Sequence, residues 1–295
     1  MMSIILGVLE EGLVYAIMAL GVYITYKILD FPDLSVDGTF PLGGAITVTL
    51  ILAGINPLAT LFIAFAVGAL AGCITGFIHV KLKVRDLLSG IIVMTALYSV
   101  NLRVAGKSNV PFFSNDSIFE NRFINSIFPA GLADISVVVI LAIIVLAVKL
   151  LLDQYLKTRS GYLLRAVGDN ETLVTSLARD KGMVKIIGLA IANGLAALAG
   201  SVYCQQKGFF EISMGTGTIV IGLANVIIGT KLFQRAGFVK STTAVIIGSI
   251  IYKACVSLAI YFGMEASDLK LITSVLFLGI LVLSNGREKK VKNHA

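Results

Sequence analysis

The chain has 295 residues, of which 57% are hydrophobic and only 14% charged, and its mean hydropathy is +0.93. A soluble domain carries nearer a quarter charged residues, so this composition leaves almost no chain for a folded soluble domain and marks a multi-pass protein of the cell membrane. The formal charge of +7 falls in short loops, which the positive-inside rule explains; no nucleic acid is expected as a partner.

A bilayer core needs about 20 apolar residues per helix. The first run, 4–28, meets this length, has no basic residue before it, and is too long for the apolar core of a cleavable signal peptide. It ends at a polar stretch, Asp33-Leu34-Ser35-Val36-Asp37-Gly38-Thr39, then Phe40-Pro41-Leu42-Gly43-Gly44-Ala45. Pro32 removes a backbone donor and moves Phe31 out of helical geometry. Gly38 permits positive φ. The expectation is a helix that stops before Asp33 and restarts near Thr39.

Further runs follow at 42–53 (short), 58–80, 87–102, 135–152, 184–204, 219–229, 239–262 and 271–283. The fold class is therefore all-α: a polytopic transmembrane helical bundle of about eight to nine hydrophobic segments, forming one domain over 1–295. Basic turns at 81–85, at 231–240 and in the tail from Gly286 read as cytoplasmic. The largest cytoplasmic segment is 153–183. The loops 105–134 and 263–270 read as external.

A second polar stretch, about 180 residues after the first, reads Glu211-Ile212-Ser213-Met214-Gly215-Thr216-Gly217-Thr218, then Ile219-Val220-Ile221-Gly222-Leu223-Ala224. The two share acid-aliphatic-Ser-aliphatic, Gly-Thr and aliphatic-Gly-x-Ala, with one residue inserted in the second. Upstream, Val22-Tyr23 and Lys27 are echoed by Val202-Tyr203 and Lys207. Paired interruptions in two halves of an apolar chain point to broken helices around a transport pathway. Irregular backbone at membrane depth survives only inside protein or beside a wet cavity. The candidate pathway residues are Asp33, Ser35, Asp37, Gly38, Thr39, Glu211, Ser213, Thr216 and Thr218. Counting back from a cytoplasmic C-terminus puts the N-terminus outside and makes the repeat inverted. A cytoplasmic N-terminus would make it parallel.

Within 153–183, Asp169 or Asn170 can cap a short amphipathic helix and Gly182 can end it. Glycines such as Gly194 and Gly200 suit close helix packing. Cys73, Cys204 and Cys255 lie in apolar runs without metal spacing, and His79 and His294 stand alone. Gly106-Lys107-Ser108 lacks the first glycine of a P-loop, where Asn101 stands, so the chain shows no ATP site of its own. No catalytic or metal constellation is visible, and no enzymatic role is expected.

The segment Gly161-Tyr162-Leu163-Leu164-Arg165-Ala166-Val167-Gly168-Asp169-Asn170, with Gly182 beyond, resembles the cytoplasmic coupling loop of ABC importer permeases, in the branch of branched-chain amino-acid and ribose permeases. Asp33 to Thr39 with Gly43-Gly44-Ala45 resembles the early polar segment of the same family. Asp37 stands where many sugar permeases carry glycine, and the phrase from Phe31 to Phe40 looks most like the subgroup associated with tryptophan and tyrosine uptake in Gram-positive bacteria. The resemblance covers nearly the whole chain, from Gly12 to Leu283. It implies a homodimer in the membrane, an ATP-binding cassette subunit below that holds ATP and Mg, and an extracytoplasmic substrate-binding protein or lipoprotein above that delivers a small-molecule solute. It also implies that Gly161, Arg165, Ala166, Gly168, Asn170 and Gly182 form the ATPase-coupling segment. Two alternatives stand beside this reading. One is an ion-coupled secondary transporter using Asp33, Asp37 or Glu211; the other is a channel or structural membrane subunit.

Overall fold

The computed structural model describes residues 2–121, 133–169, 180–234 and 239–263, with isolated positions beyond. Among the described residues there are nine α-helices: α1 Met2–Val22, α2 Val36–Leu52, α3 Pro57–Val80, α4 Asp86–Ala105, α5 Ala133–Tyr155, α6 Arg159–Asp169, α7 Lys181–Lys207, α8 Thr218–Leu232 and α9 Ser241–Tyr261. A π-helical turn, Tyr23–Ile28, extends α1. Two three-residue strands, β1 Asn109–Pro111 and β2 Phe209–Glu211, pair antiparallel. Seven helices are long and apolar enough to cross a membrane, and Val36–Leu52 is a shorter apolar one. With the predicted 271–283 run, which lies largely outside the described residues, these make up the expected helical membrane bundle.

The centre of the bundle is α7, flanked by α1, α2 and α3. It runs parallel to α2, with Thr39 beside Asn193, Gly43 against Ala197 and Thr47 bonded to Ser201. It runs antiparallel to α3, where Gly68 meets Asn193, Gly72 meets Leu189 and Gly76 meets Ile186. Small residues let these backbones touch, and in lipid such contact replaces the hydrophobic drive that water supplies. The expected role of Gly194 and Gly200 holds: Gly200 lies against the Phe40 carbonyl, and Gly194 faces the Phe65 ring. A second group pairs α8 with α9, Gly229 lying against the Ala244 carbonyl. Asp153, near the end of α5, holds the start of α9 by accepting from Lys240 Nζ at 3.1 Å and Thr242 Oγ1 at 2.6 Å.

One local expectation is refined and two are corrected. The helix stops before Asp33 as expected, after Ile28, and resumes at Val36, three residues before Thr39. The Asp33 carboxylate accepts the Ser35 N–H at 2.9 Å and turns the chain early. Gly38 does not adopt positive φ; it lies within α2, where a side chain would strike Met94 and Leu97 of α4. The left-handed residue of this turn is Asp30, with φ of 51°. Finally, Gly182 does not end a short helix; residues 170–179, where that helix is expected, lie outside the described residues. Asp169 ends α6, and Gly182 lies in the first turn of α7, capped by Asp180, whose Oδ1 accepts from Gly182 N at 2.8 Å and Met183 N at 3.4 Å.

Candidate transport pathway and coupling segment

The two polar stretches meet. Asp37, in the first turn of α2, reaches across to the start of α8. Its Oδ2 accepts from Gly217 N at 2.9 Å, and its Oδ1 accepts from Thr218 Oγ1 at 2.9 Å and Ile219 N at 2.7 Å. A helix N-terminus carries unsatisfied N–H groups and a partial positive charge, so one carboxylate serves as the cap of a helix about 180 residues away. Gly217 itself is left-handed, with φ of 83°. Pro41 offers no N–H to the Asp37 carbonyl one turn before it, and Gly215 lies directly against that carbonyl. From this junction α2 leads toward the face where α7 ends. In contrast, α8 leads toward the face where α9 begins beside Asp153. The two helices thus leave a shared starting point in opposite directions, the arrangement expected of an inverted pair.

Asp33, Ser35 and Thr39 converge on one residue that sequence reasoning missed, Asn193 of α7. Its Nδ2 donates to Asp33 Oδ2 at 2.7 Å and to the Leu189 carbonyl at 3.1 Å. Its Oδ1 accepts from Ser35 Oγ at 3.0 Å and Thr39 Oγ1 at 2.7 Å. All four residues have no solvent exposure. The available clue was an amide in the middle of an apolar span, where polar groups are costly and have partners. On the other side of the break, Asn101 of α4 donates to the Gly38 carbonyl at 2.9 Å.

Glu211, Ser213 and Thr216 are not part of this junction. Glu211 ends β2 opposite Asn109, and its carboxylate accepts from Ser213. Ser213 and Thr216 are exposed. The second stretch therefore has an outer, accessible part and an inner part, Gly217 to Ile219, held by Asp37.

The predicted coupling segment contains α6 and the first turn of α7; Asn170 lies outside the described residues. Helix α6 is amphipathic: Gly161, Leu164 and Val167 are buried, Ala166 is half-buried, and Tyr162, Arg165 and Asp169 are exposed. Spaced three and four apart, the last three share one face. On the buried face, Gly168 lies directly against the carbonyl of Ile28, the last residue of the π-helical turn. Leu164 and Leu29 both reach the space beside Gly188 of α7. Gly161 fits against the Tyr155 carbonyl, and Gly182 against Val80. The segment thus touches the chain five residues before Asp33.

The sequence model described as branched-chain amino acid transport system / permease component matches residues 4–284. The chain is 45% identical over 284 residues to a tyrosine transport system permease protein of Clostridioides difficile, covering 96% of this chain and 92% of that one. It is 29% identical over 248 residues to a ribose import permease protein of Escherichia coli, covering 83% and 74%. Identity to a probable branched-chain amino acid transport permease protein of Methanocaldococcus jannaschii is 24% over 302 residues, covering 94% and 90%. No solved structure matches the chain significantly. Spanning almost its whole length and carried on a bundle of apolar helices, this likeness shows that the chain belongs to the family of permease components of branched-chain amino acid transport systems.

Proposed function

We propose that the chain is the membrane-spanning subunit of an ATP-driven importer for an aromatic amino acid, delivered by an extracytoplasmic binding protein and moved through a homodimer. The observation that carries the reading is the contact of Gly168 with the Ile28 carbonyl. A push on α6 from the cytoplasm would reach the Asp33 turn through backbone, with no flexible side chain between. The exposed face of Tyr162, Arg165 and Asp169 offers a surface for the ATP-binding subunit, which would hold ATP and Mg. Residues 153–183 then act as the coupling segment within a single permease domain, and the meeting point of the two broken stretches borders the solute path. The 45% identity to a tyrosine permease favours an aromatic solute over a sugar.

The test is mass spectrometry of proteins co-purifying from mildly solubilised native membranes, combined with tyrosine and tryptophan uptake in a strain lacking the gene. A stoichiometric ATPase lost on Arg165→Glu, together with impaired uptake of either amino acid, supports the proposal. A preparation without an ATPase, or unchanged uptake of both, refutes it.

One observation favours a second reading. Among the described residues no lysine or arginine pairs with Asp33 or Asp37. A buried and a half-buried carboxylate without a cation suit a proton- or ion-coupled carrier. That reading predicts uptake by the reconstituted chain alone, driven by an ion gradient.

A further inference from the structure

Outside the junction, three apolar helices bring charges together. Glu11 of α1 accepts from Lys207 of α7 through Oε1 and from Lys253 of α9 through Oε2, each at 2.8 Å. Glu11 is nine residues into its helix, about 13 Å at 1.5 Å per residue. Lys253 is eight residues from the end of α9. Lys207 is the last residue of α7, so the cluster lies toward the face where α7 ends; ionisable groups within spanning helices, as Glu11 and Lys253 are, read by default as functional.

The charges stand on aromatic rings. Lys253 Nζ is 4.4 Å from the Tyr15 ring centroid, and Lys207 Nζ is 5.6 Å from that of Tyr203. Tyr15, Tyr203 and Phe40 form a closed triangle with centroid separations of 5.7–6.1 Å. Phe40 follows Thr39 directly, so the triangle joins the ion cluster to the broken stretch. Beside it, Gln206 Nε2 donates to Glu10 at 2.8 Å. The Gln206 Oε1 is buried and has no hydrogen-bond partner among the described residues. The side chains of Glu11 and Lys207 are 34% and 30% exposed, so the cluster can be reached.

We infer that Glu11, Lys207 and Lys253 recognise the zwitterionic head group of an amino acid, with the half-buried Tyr203 ring beside Lys207 available to its side chain and the buried Tyr15 and Phe40 rings backing it. The inference rests on the importer reading above and assigns a solute station to it. An incoming ammonium takes a share of the Glu11 carboxylate. The solute carboxylate takes the lysine so released. Every charge remains paired through this exchange, so no unpaired ion is left in a poorly solvated site. Glu10, Glu11, Lys207 and Lys253 balance in charge, and a zwitterion, neutral overall, enters without disturbing that balance. A sugar has nothing to exchange with these pairs. Aromatic faces suit an aromatic side chain and also attract cations.

The test uses the complete transporter, with its ATPase and binding protein, in proteoliposomes supplied with ATP and either radiolabelled tyrosine or radiolabelled ribose. Glu11→Gln and Lys207→Met are compared with the charge-free triple variant Glu11→Gln/Lys207→Met/Lys253→Met, and thermal stability of the purified permease is measured alongside. The expected result is wild-type uptake of tyrosine and not ribose, a tenfold or greater loss in each single variant, and a triple variant of near-wild-type stability without uptake. Loss of uptake that only tracks loss of stability across the variants shows a structural tie and overturns the inference, as do variants with near-wild-type uptake. Wild-type uptake of neither probe, or of ribose alone, overturns the aromatic importer reading and this inference with it. That failure is visible before any variant is compared.

Discussion

Replacing Asn193 with alanine removes the hub that holds the first broken stretch. Asp33 Oδ2 loses its donor at 2.7 Å, and Ser35 Oγ loses its acceptor at 3.0 Å. Thr39 keeps its second acceptor, the Ser35 carbonyl at 2.9 Å, and is little affected. A hydrogen bond to a charged group contributes about 1.5–3 kcal/mol and a neutral one about 1 kcal/mol, so the loss should be about 3 kcal/mol. Equilibrium unfolding in mixed detergent micelles measures it. The same experiment on Asp33→Ala and on the double variant gives the coupling, which for residues in one network falls at about 0.5–3 kcal/mol. We expect about 2 kcal/mol, because the Asp33–Asn193 bond is counted in both single losses. A loss below about 1 kcal/mol for Asn193→Ala, or strictly additive single variants, would refute the claim that this network holds the turn.

The same measurement on Asp37→Ala should show a loss of about 2–4 kcal/mol, since three donors at the start of α8 lose their acceptor; Asp37→Asn, which keeps an oxygen, should lose less. Gly200→Ala should abolish accumulation in the membrane, read by immunoblot, because its methyl would overlap the Phe40 carbonyl; Gly7→Ala, with nothing within 4 Å, should accumulate normally. Cys204 has no exposure, and its thiol lies 3.3 Å from the Phe209 carbonyl and 3.7 Å from that of Gly44. In native membranes it should resist maleimide until the protein is denatured, which mass spectrometry of the labelled peptide can check.

The spans were legible because length and apolarity alone define a membrane helix. The pairing of the two polar stretches was legible because it is written twice, in Asp33 to Ala45 and Glu211 to Ala224. Two things were not. Asn193 is a single letter in an apolar run, and nothing local tells which distant groups its amide will meet. Gly182 was misplaced because a glycine near a helix boundary suits either end; the deciding residue was Asp180, whose carboxylate caps forward. The ion cluster was hidden for a further reason. Glu11, Lys207 and Lys253 are far apart in sequence, and only the antiparallel run of α1 along α7 brings the first two together. Asp37 was picked out correctly as special, but its partner, the open end of α8, is a backbone feature with no residue type of its own.

The glycine-faced packing of α2, α3 and α7 has a mechanical consequence. Where backbones touch, no side chain can change rotamer to absorb a shift, so these three helices must travel as one solid piece. The pair α8 and α9 makes another. Between them stands α1, packed on both and tied to each through Glu11, which holds Lys207 of α7 and Lys253 of α9. At the start of α8 the fastening to α2 is the Asp37 carboxylate. A molecule built of stiff pieces on a shared helix has few ways to move, and parting its polar clasps, rather than bending any helix, is the least costly of them.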